Sequence, residues 1–157
     1  MAKTQSVVVR FDNEFEKKLS ELGKHTDEIL AKAMAAGAEA ALPVVRDSLK
    51  SAIGRGNQSP DRSTGELVNS LGVSPVMVDR NGITNVKIGF YEPRRHQSTA
   101  KGKRSYYTIT NAMIANVLEY GKHGQPPRPW LKRAKTQATK VFRAKMQEVI
   151  DEEVEKL

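Results

Sequence analysis

The chain contains no cysteine. Disulfides, thiolate nucleophiles and cysteine metal sites are therefore excluded, which fits a reducing compartment. Long apolar runs are missing too: none approaches the ~20 residues that cross a bilayer. The three valines of "SVVVRFD" are too few for the core of a secretory leader. Aromatic residues are scarce, at 6% of the chain with a single tryptophan, so the position of that tryptophan carries weight. Catalytic signatures are also lacking. His25, His96 and His123 are spread over a helical stretch, a basic loop and a proline-rich elbow, and no pair has metal-ligand spacing. No G-x-S-x-G, P-loop or dinucleotide fingerprint occurs. The acidic pairs Glu14/Glu16 and Asp27/Glu28 fall in helical sequence with a solvated pattern. These absences predict a protein that is not an enzyme and carries no cofactor or metal.

What is abundant is positive charge, and it is unevenly placed. Between Arg94 and Lys145 thirteen lysines and arginines face one anion, Glu119, so that span carries +12. The whole chain carries +8, which leaves −4 for the remainder. A field of that size attracts a polyanion. It is equally the pattern of a solvated basic face balanced by acidic neighbours such as the "DEEVE" stretch at 151–155.

At 157 residues the chain reads as a single domain, 1–157, large enough to bury a core without covalent staples. "SVVVRFD" is β-rich and short, and predicts an opening strand. Asp12 or Asn13 can then cap a helix. From there Phe15, Leu19, Leu22, Thr26, Ile29, Ala33 and Ala36 recur at spacings of four and three, one stripe of a long helix. The small residues of "AKAMAAGAEAAL" permit close approach by another helix or chain. Pro43 removes a backbone donor and predicts a kink or a new segment, continuing to about Ile53. "GRGNQSPDRS" is a loop by composition. Ser63 or Thr64 then caps a short helix, with Glu66 in capping-box position after Ser63.

"VSPVMV" and "ITNVKIGFY" flank "DRNG", where Asn81-Gly82 supplies turn chemistry for a β-hairpin. Pro75 places its first strand at an edge or delays its start. Residues 92–105, "EPRRHQSTAKGKRS", hold no large apolar residue and predict an exposed basic loop. "NAMIANVLEY" reads as a short helix with Met113, Ile114, Val117 and Leu118 on one face, terminated by Gly121. A final helix from about Leu131 carries the stripe Leu131, Ala134, Ala138, Val141, Phe142, Met146 and Val149, with lysine and arginine opposite. The fold class that follows is α+β: a long N-terminal helix and a C-terminal helix packed on a small antiparallel β-sheet containing a hairpin.

Between the last two helices lies "EYGKHGQPPRPW", with three of the seven prolines. Consecutive prolines hold an extended path at low entropic cost. Trp130, fixed behind Pro129, is thereby offered to a pocket, either in its own core or in a neighbour's.

The order of these pieces resembles the tail-component proteins of long-tailed bacteriophages, the tail-completion or head–tail joining family. Thr64, Gly65, Leu67 and Ser70 match its first element, ahead of the hairpin. Glu119, Tyr120 and Gly121 match its second, and Pro129, Trp130 and Leu131, followed by Ala134, its third. The likeness spans roughly residues 14–150. The resemblance implies a structural virion protein at the neck or the head-proximal end of the tail, assembled in the bacterial host cytoplasm. It also implies a homo-oligomer, a hexameric ring around the DNA channel, with tail-terminator, tail-tube or head-completion proteins as neighbours and no membrane. Glu119, Tyr120, Gly121, Pro127, Pro129, Trp130 and Leu131 are then the candidate subunit or partner interface. Arg94, Arg95, Lys101, Lys103 and Arg104 are the candidates for contact with phage DNA or an acidic partner, since phosphate contact needs only basic side chains. The alternative drawn from the residues alone is a non-specific nucleic-acid-binding module using the basic 94–145 segment, without a recognisable helix-turn-helix.

Overall fold

The structure is a computed structural model that describes residues 7–8, 25–53, 65–91, 94–98 and 105–156, with the backbone path alone for 7–8, 94–98 and 105–109. Along the chain come β1 (Val7–Val8), α1 (Thr26–Ile53), α2 (Glu66–Asn69) and four short strands, β2 (Leu71–Val73), β3 (Met77–Val78), β4 (Thr84–Asn85) and β5 (Lys87–Phe90). They are followed by β6 (Arg94–Ser98), β7 (Ser105–Ile109), α3 (Asn111–Tyr120) and α4 (Leu131–Val154). The α+β class expected from the sequence is the observed one, with the two long helices packed together beside small antiparallel sheets.

The helix pair α1/α4 is the centre of the molecule. It runs antiparallel: Lys32 near the start of α1 pairs with Glu153 near the end of α4, and the Ser48 hydroxyl donates to the carbonyl of Trp130, just ahead of α4. Small residues set the spacing. Ala33, Gly37, Ala38 and Ala41 are buried on α1, and Phe142 and Met146 of α4 are buried with them. A Cβ at Gly37 would stand 2.9 Å from the Phe142 carbonyl oxygen, so only glycine lets the two backbones come this close. The alanine-rich stripe that can receive another helix thus receives one from its own chain.

Two expectations for the helices change. Of the two outcomes expected at Pro43, a kink or a new segment, the new segment does not occur: α1 runs as one helix to Ile53 with Pro43 inside it. Pro43 is exposed, so the carbonyl that loses its donor lies on the watered side while Leu42 and Val45 keep the buried stripe continuous. α2 opens on Gly65, at φ 74°, and the capping residues expected at Ser63 or Thr64 lie outside the described residues. On α3 the buried face is Asn111, Ala112, Ala115 and Leu118, whereas Met113 is 48% exposed and Ile114 and Val117 are half-buried. The expected start of the first helix near residue 13, the stripe residues Phe15, Leu19 and Leu22, and the loop at 54–63 lie outside the described residues.

The hairpin is present and branched. β2 pairs with β5, with Gly72 opposite Gly89, and β1 pairs with the other edge of β5, giving the order β1-β5-β2. β3 pairs with β4 as a separate two-stranded arm. Pro75 falls in the gap between β2 and β3, and the ladder is bridged there by Ser74, whose N–H donates to Lys87 O and whose Oγ accepts from Lys87 N–H. At the tip the Asp79 carboxylate accepts from the N–H groups of Asn81 and Ile83, and Gly82 sits at φ 76°. A short acidic side chain and a left-handed glycine reverse the chain together.

Residues 92–105 were expected as a loop, and part of the segment is not one. β6 pairs antiparallel with β7 along five residues, from Arg94 opposite Ile109 to Ser98 opposite Ser105. "RRHQS" has no apolar alternation to announce a strand. Its partner "SYYTI" is rich in strand-forming residues, so the sequence signal for this ribbon lies on β7. Arg94 and Arg95 therefore stand on a strand, while Lys101, Lys103 and Arg104 lie outside the described residues.

Candidate functional site

The segment from Glu119 to Leu131 is a closed bracket that the chain builds against itself. α3 ends where Gly121, at φ 76° and ψ 179°, donates its N–H to Val117 O. That backbone region is nearly glycine-only. It is crowded as well, because a Cβ there would meet Gln125 O at 2.7 Å and Pro127 N at 2.8 Å. Gly121 thus stops α3 and lets "KHGQPP" fold back over its end. Lys122 and Gln125 exchange backbone hydrogen bonds across the small turn, and Arg128 N–H returns to Leu118 O at 2.6 Å.

Glu119 closes the bracket. Its Oε2 accepts from Trp130 N–H at 2.7 Å and from Leu131 N–H at 2.8 Å. The first amides of a helix have no intrahelical acceptor, and the positive end of the helix dipole favours an anion. Trp130 occupies the cap position of α4 with no side-chain cap of its own, so the carboxylate of α3 supplies what α4 lacks. Nothing in local spacing announces this, since donor and acceptor are eleven and twelve positions apart.

Trp130 is 3% exposed. Its indole N–H donates to Ala115 O at 3.3 Å, and its ring meets Phe90 edge-on, with centroids 6.3 Å apart. Of the two pockets open to it, the tryptophan fills the one in its own core. Arg128 spans from the elbow to α1, donating from its guanidinium to Ile53 O at 3.3 Å. Pro127 and Pro129 are exposed, Leu131 is half-buried, and Tyr120 is 68% exposed. Among the seven candidate interface residues, Glu119, Gly121 and Trp130 hold the bracket shut, and Tyr120 and the two prolines face outward.

Tyr120 is one of several large apolar side chains that are exposed. On α3 it shares a helical face with Met113 and Val117, at spacings of four and three, opposite the buried alanines. Tyr91 is 66% exposed, and the β3–β4 arm exposes Met77, Val78 and Ile83.

Among the described residues no three histidine, aspartate or glutamate side chains are grouped to hold a metal ion. No helix there is long and apolar enough to cross a membrane. Glu153 is the carboxylate most displaced from its ordinary 4.5: hydrogen bonds first from Lys156 and then from Lys32 hold it at about 2.

Fold and bracket together define an α+β scaffold of two long antiparallel helices, with short strands in small antiparallel sheets and a glutamate-locked elbow joining the last helices. The chain belongs to the family described as "Bacteriophage HK97-gp10, putative tail-component", which matches residues 13–121. No curated protein and no solved structure matches it. The match takes in Thr64, Gly65, Leu67 and Ser70 and the Glu119-Tyr120-Gly121 turn, and stops before Pro129, Trp130 and Leu131. A structural role in a bacteriophage tail is what this membership supports.

Proposed function

We propose that the protein completes the tail of a long-tailed bacteriophage at its head-proximal end, as a ring of copies around the DNA channel that joins tail to head. The observation that carries this reading is family membership over residues 13–121. The exposed apolar side chains Tyr91, Met113 and Tyr120 and the β3–β4 arm support it, since a ring component needs surfaces for its neighbours. Its work is assembly: buried area is gained against adjacent copies and against tail-terminator, tail-tube or head-completion proteins, and no bond is made or broken. The cations of 94–104 meet either the DNA in the channel or an acidic neighbouring ring. A hexamer matches the symmetry of such tails. Electron microscopy of particles made with and without the protein tests the reading. Tails that fail to join heads in its absence, and a ring at the neck in its presence, are expected; normal, fully joined virions without it would reject the proposal.

A further inference from the structure

The last helix carries its charges in the reverse of the order its own dipole favours. Exposed Lys132, Arg133, Lys135, Lys140 and Arg143 occupy the first part of α4, and no aspartate or glutamate falls between Leu131 and Gln147. Carboxylates follow at Glu148, Asp151, Glu152, Glu153 and Glu155. The first turn has no acid and the last has no base. A helix presents free N–H groups at its start and free carbonyls at its end, so acids first and bases last is the stabilising arrangement. The opposite order is unfavourable for α4 by itself and points to something outside the protomer.

The five cations are also uncommitted within the chain: among the described residues, none is in an ion pair with a carboxylate. The antiparallel packing reinforces both ends. The Lys32–Glu153 pair brings the start of α1, with exposed Asp27 and Glu28, to the acidic end of α4. Exposed Lys50, in the last turn of α1, adds to the basic end. From Lys132 to Glu152 the axis rises ~30 Å, several times the ~8 Å screening length of physiological salt. The two ends of one protomer therefore do not neutralise each other.

We infer that these ends are the two halves of a contact between copies: the basic half of α4 on one copy meets the acidic end of the α1/α4 pair on the next. Within the ring reading the two patches meet head-to-tail, a contact that propagates and closes into a ring when the rotation per copy divides the circle, whereas two copies that satisfy both patches reciprocally would stop at a dimer. The inference rests on the ring reading above and deepens it by naming which surfaces meet. Duplex DNA accounts for the basic half alone; it leaves the acidic end of the same helix unexplained and is repelled by it.

Reversal of charge tests this on the full chain. One variant carries K132E, K140E and R143E; the other carries E148K, E152K and E155K. All six positions are exposed and each reversal moves α4 towards the charge order its dipole favours, so both variants are expected to melt no lower than the wild type by circular dichroism, and the neutral set K132Q, K140Q and R143Q serves if a reversal does not fold. In sedimentation velocity at low salt the wild type is expected to associate, and to dissociate towards about 1 M NaCl, where screening shortens to ~3 Å. Each reversal alone weakens association roughly tenfold or more, the scale of close interfacial charge pairs. An equimolar mixture restores it, because each reversed patch then faces an opposite charge. Oligomers indifferent to salt and to both reversals would overturn the charged contact while leaving the ring. Wild type that stays monomeric at every salt would remove the ring and the contact with it. A K132E, K140E and R143E variant that loses binding to a duplex oligonucleotide but keeps self-association intact would reassign the basic half to DNA.

Discussion

Glu119 concentrates two jobs in one carboxylate: it closes the elbow, and it supplies the anion at the start of a 24-residue helix. Replacing Glu119 by alanine leaves the amides of Trp130 and Leu131 without that acceptor, an expected loss of about 1–3 kcal/mol in urea denaturation. Glutamine keeps an oxygen in place and loses only the charge, so Glu119→Gln should cost less than Glu119→Ala; equal losses would mean that the charge alone matters. Trp130 is the second test at this scale. Buried at 3% exposure with its indole N–H bonded to Ala115, it should cost ~3–5 kcal/mol as alanine. The defect then appears in the folded monomer. An unchanged denaturation midpoint accompanied by failed assembly would return the indole to the partner-facing role.

Among the elements, the α1/α4 pair depends on glycine where helix propensity disfavours it. Alanine at position 37 would gain about 1 kcal/mol of propensity. Its Cβ would stand 2.9 Å from a backbone oxygen and 3.1 Å from the Phe142 ring, and backbone cannot rotate aside. Overpacking at such a site costs ~1–3 kcal/mol, so Gly37→Ala should lower the melting temperature, and a rise would show that the helices part easily. The stripe from Ile29 to Ala36 and the one from Ala134 to Val149 were readable in the sequence because burial imposes a 3.6-residue period. The β-hairpin and the end of α3 were readable because Asn81-Gly82 and Gly121 supply chemistry that turns require, while the Asp79 carboxylate that closes the hairpin tip came only with the structure. The β6 strand was not, since "RRHQS" pairs through its backbone and carries no alternating pattern. The continuity of α1 through Pro43 was not either, because it depends on which side of the helix faces water. In the candidate site, the motif residues Glu119, Gly121 and Trp130 could be picked out, but their partners could not: a carboxylate on one helix capping the next is a non-local fact.

At the scale of the whole molecule, the far end of the helix pair is tied by Glu153, which Lys156 of its own turn and Lys32 of α1 both contact, at 2.7 Å and 2.6 Å. The tie predicts a pH dependence of definite sign. Glu153 is held at about 2 when folded, against an ordinary 4.5, first by the Lys156 hydrogen bond and then by that of Lys32. A carboxylate whose value is lowered by folding adds stability that is complete above its unfolded value and disappears as pH falls through the folded one. The window is therefore about 4.5 down to about 2, and the contribution is untouched at neutral pH. Replacing Lys32 by methionine removes the bond to α1 and leaves the local one, so the carboxyl should titrate above its wild-type position and below 4.5. Adding Lys156→Met should bring it close to 4.5. Side-chain carboxyl shifts followed by NMR from pH 6 downward give each value directly. A wild-type Glu153 that titrates at its ordinary value would mean that α1 and α4 are held at this end by the packing of Ile29, Leu30, Val149 and Ile150, with the ion pairs contributing nothing.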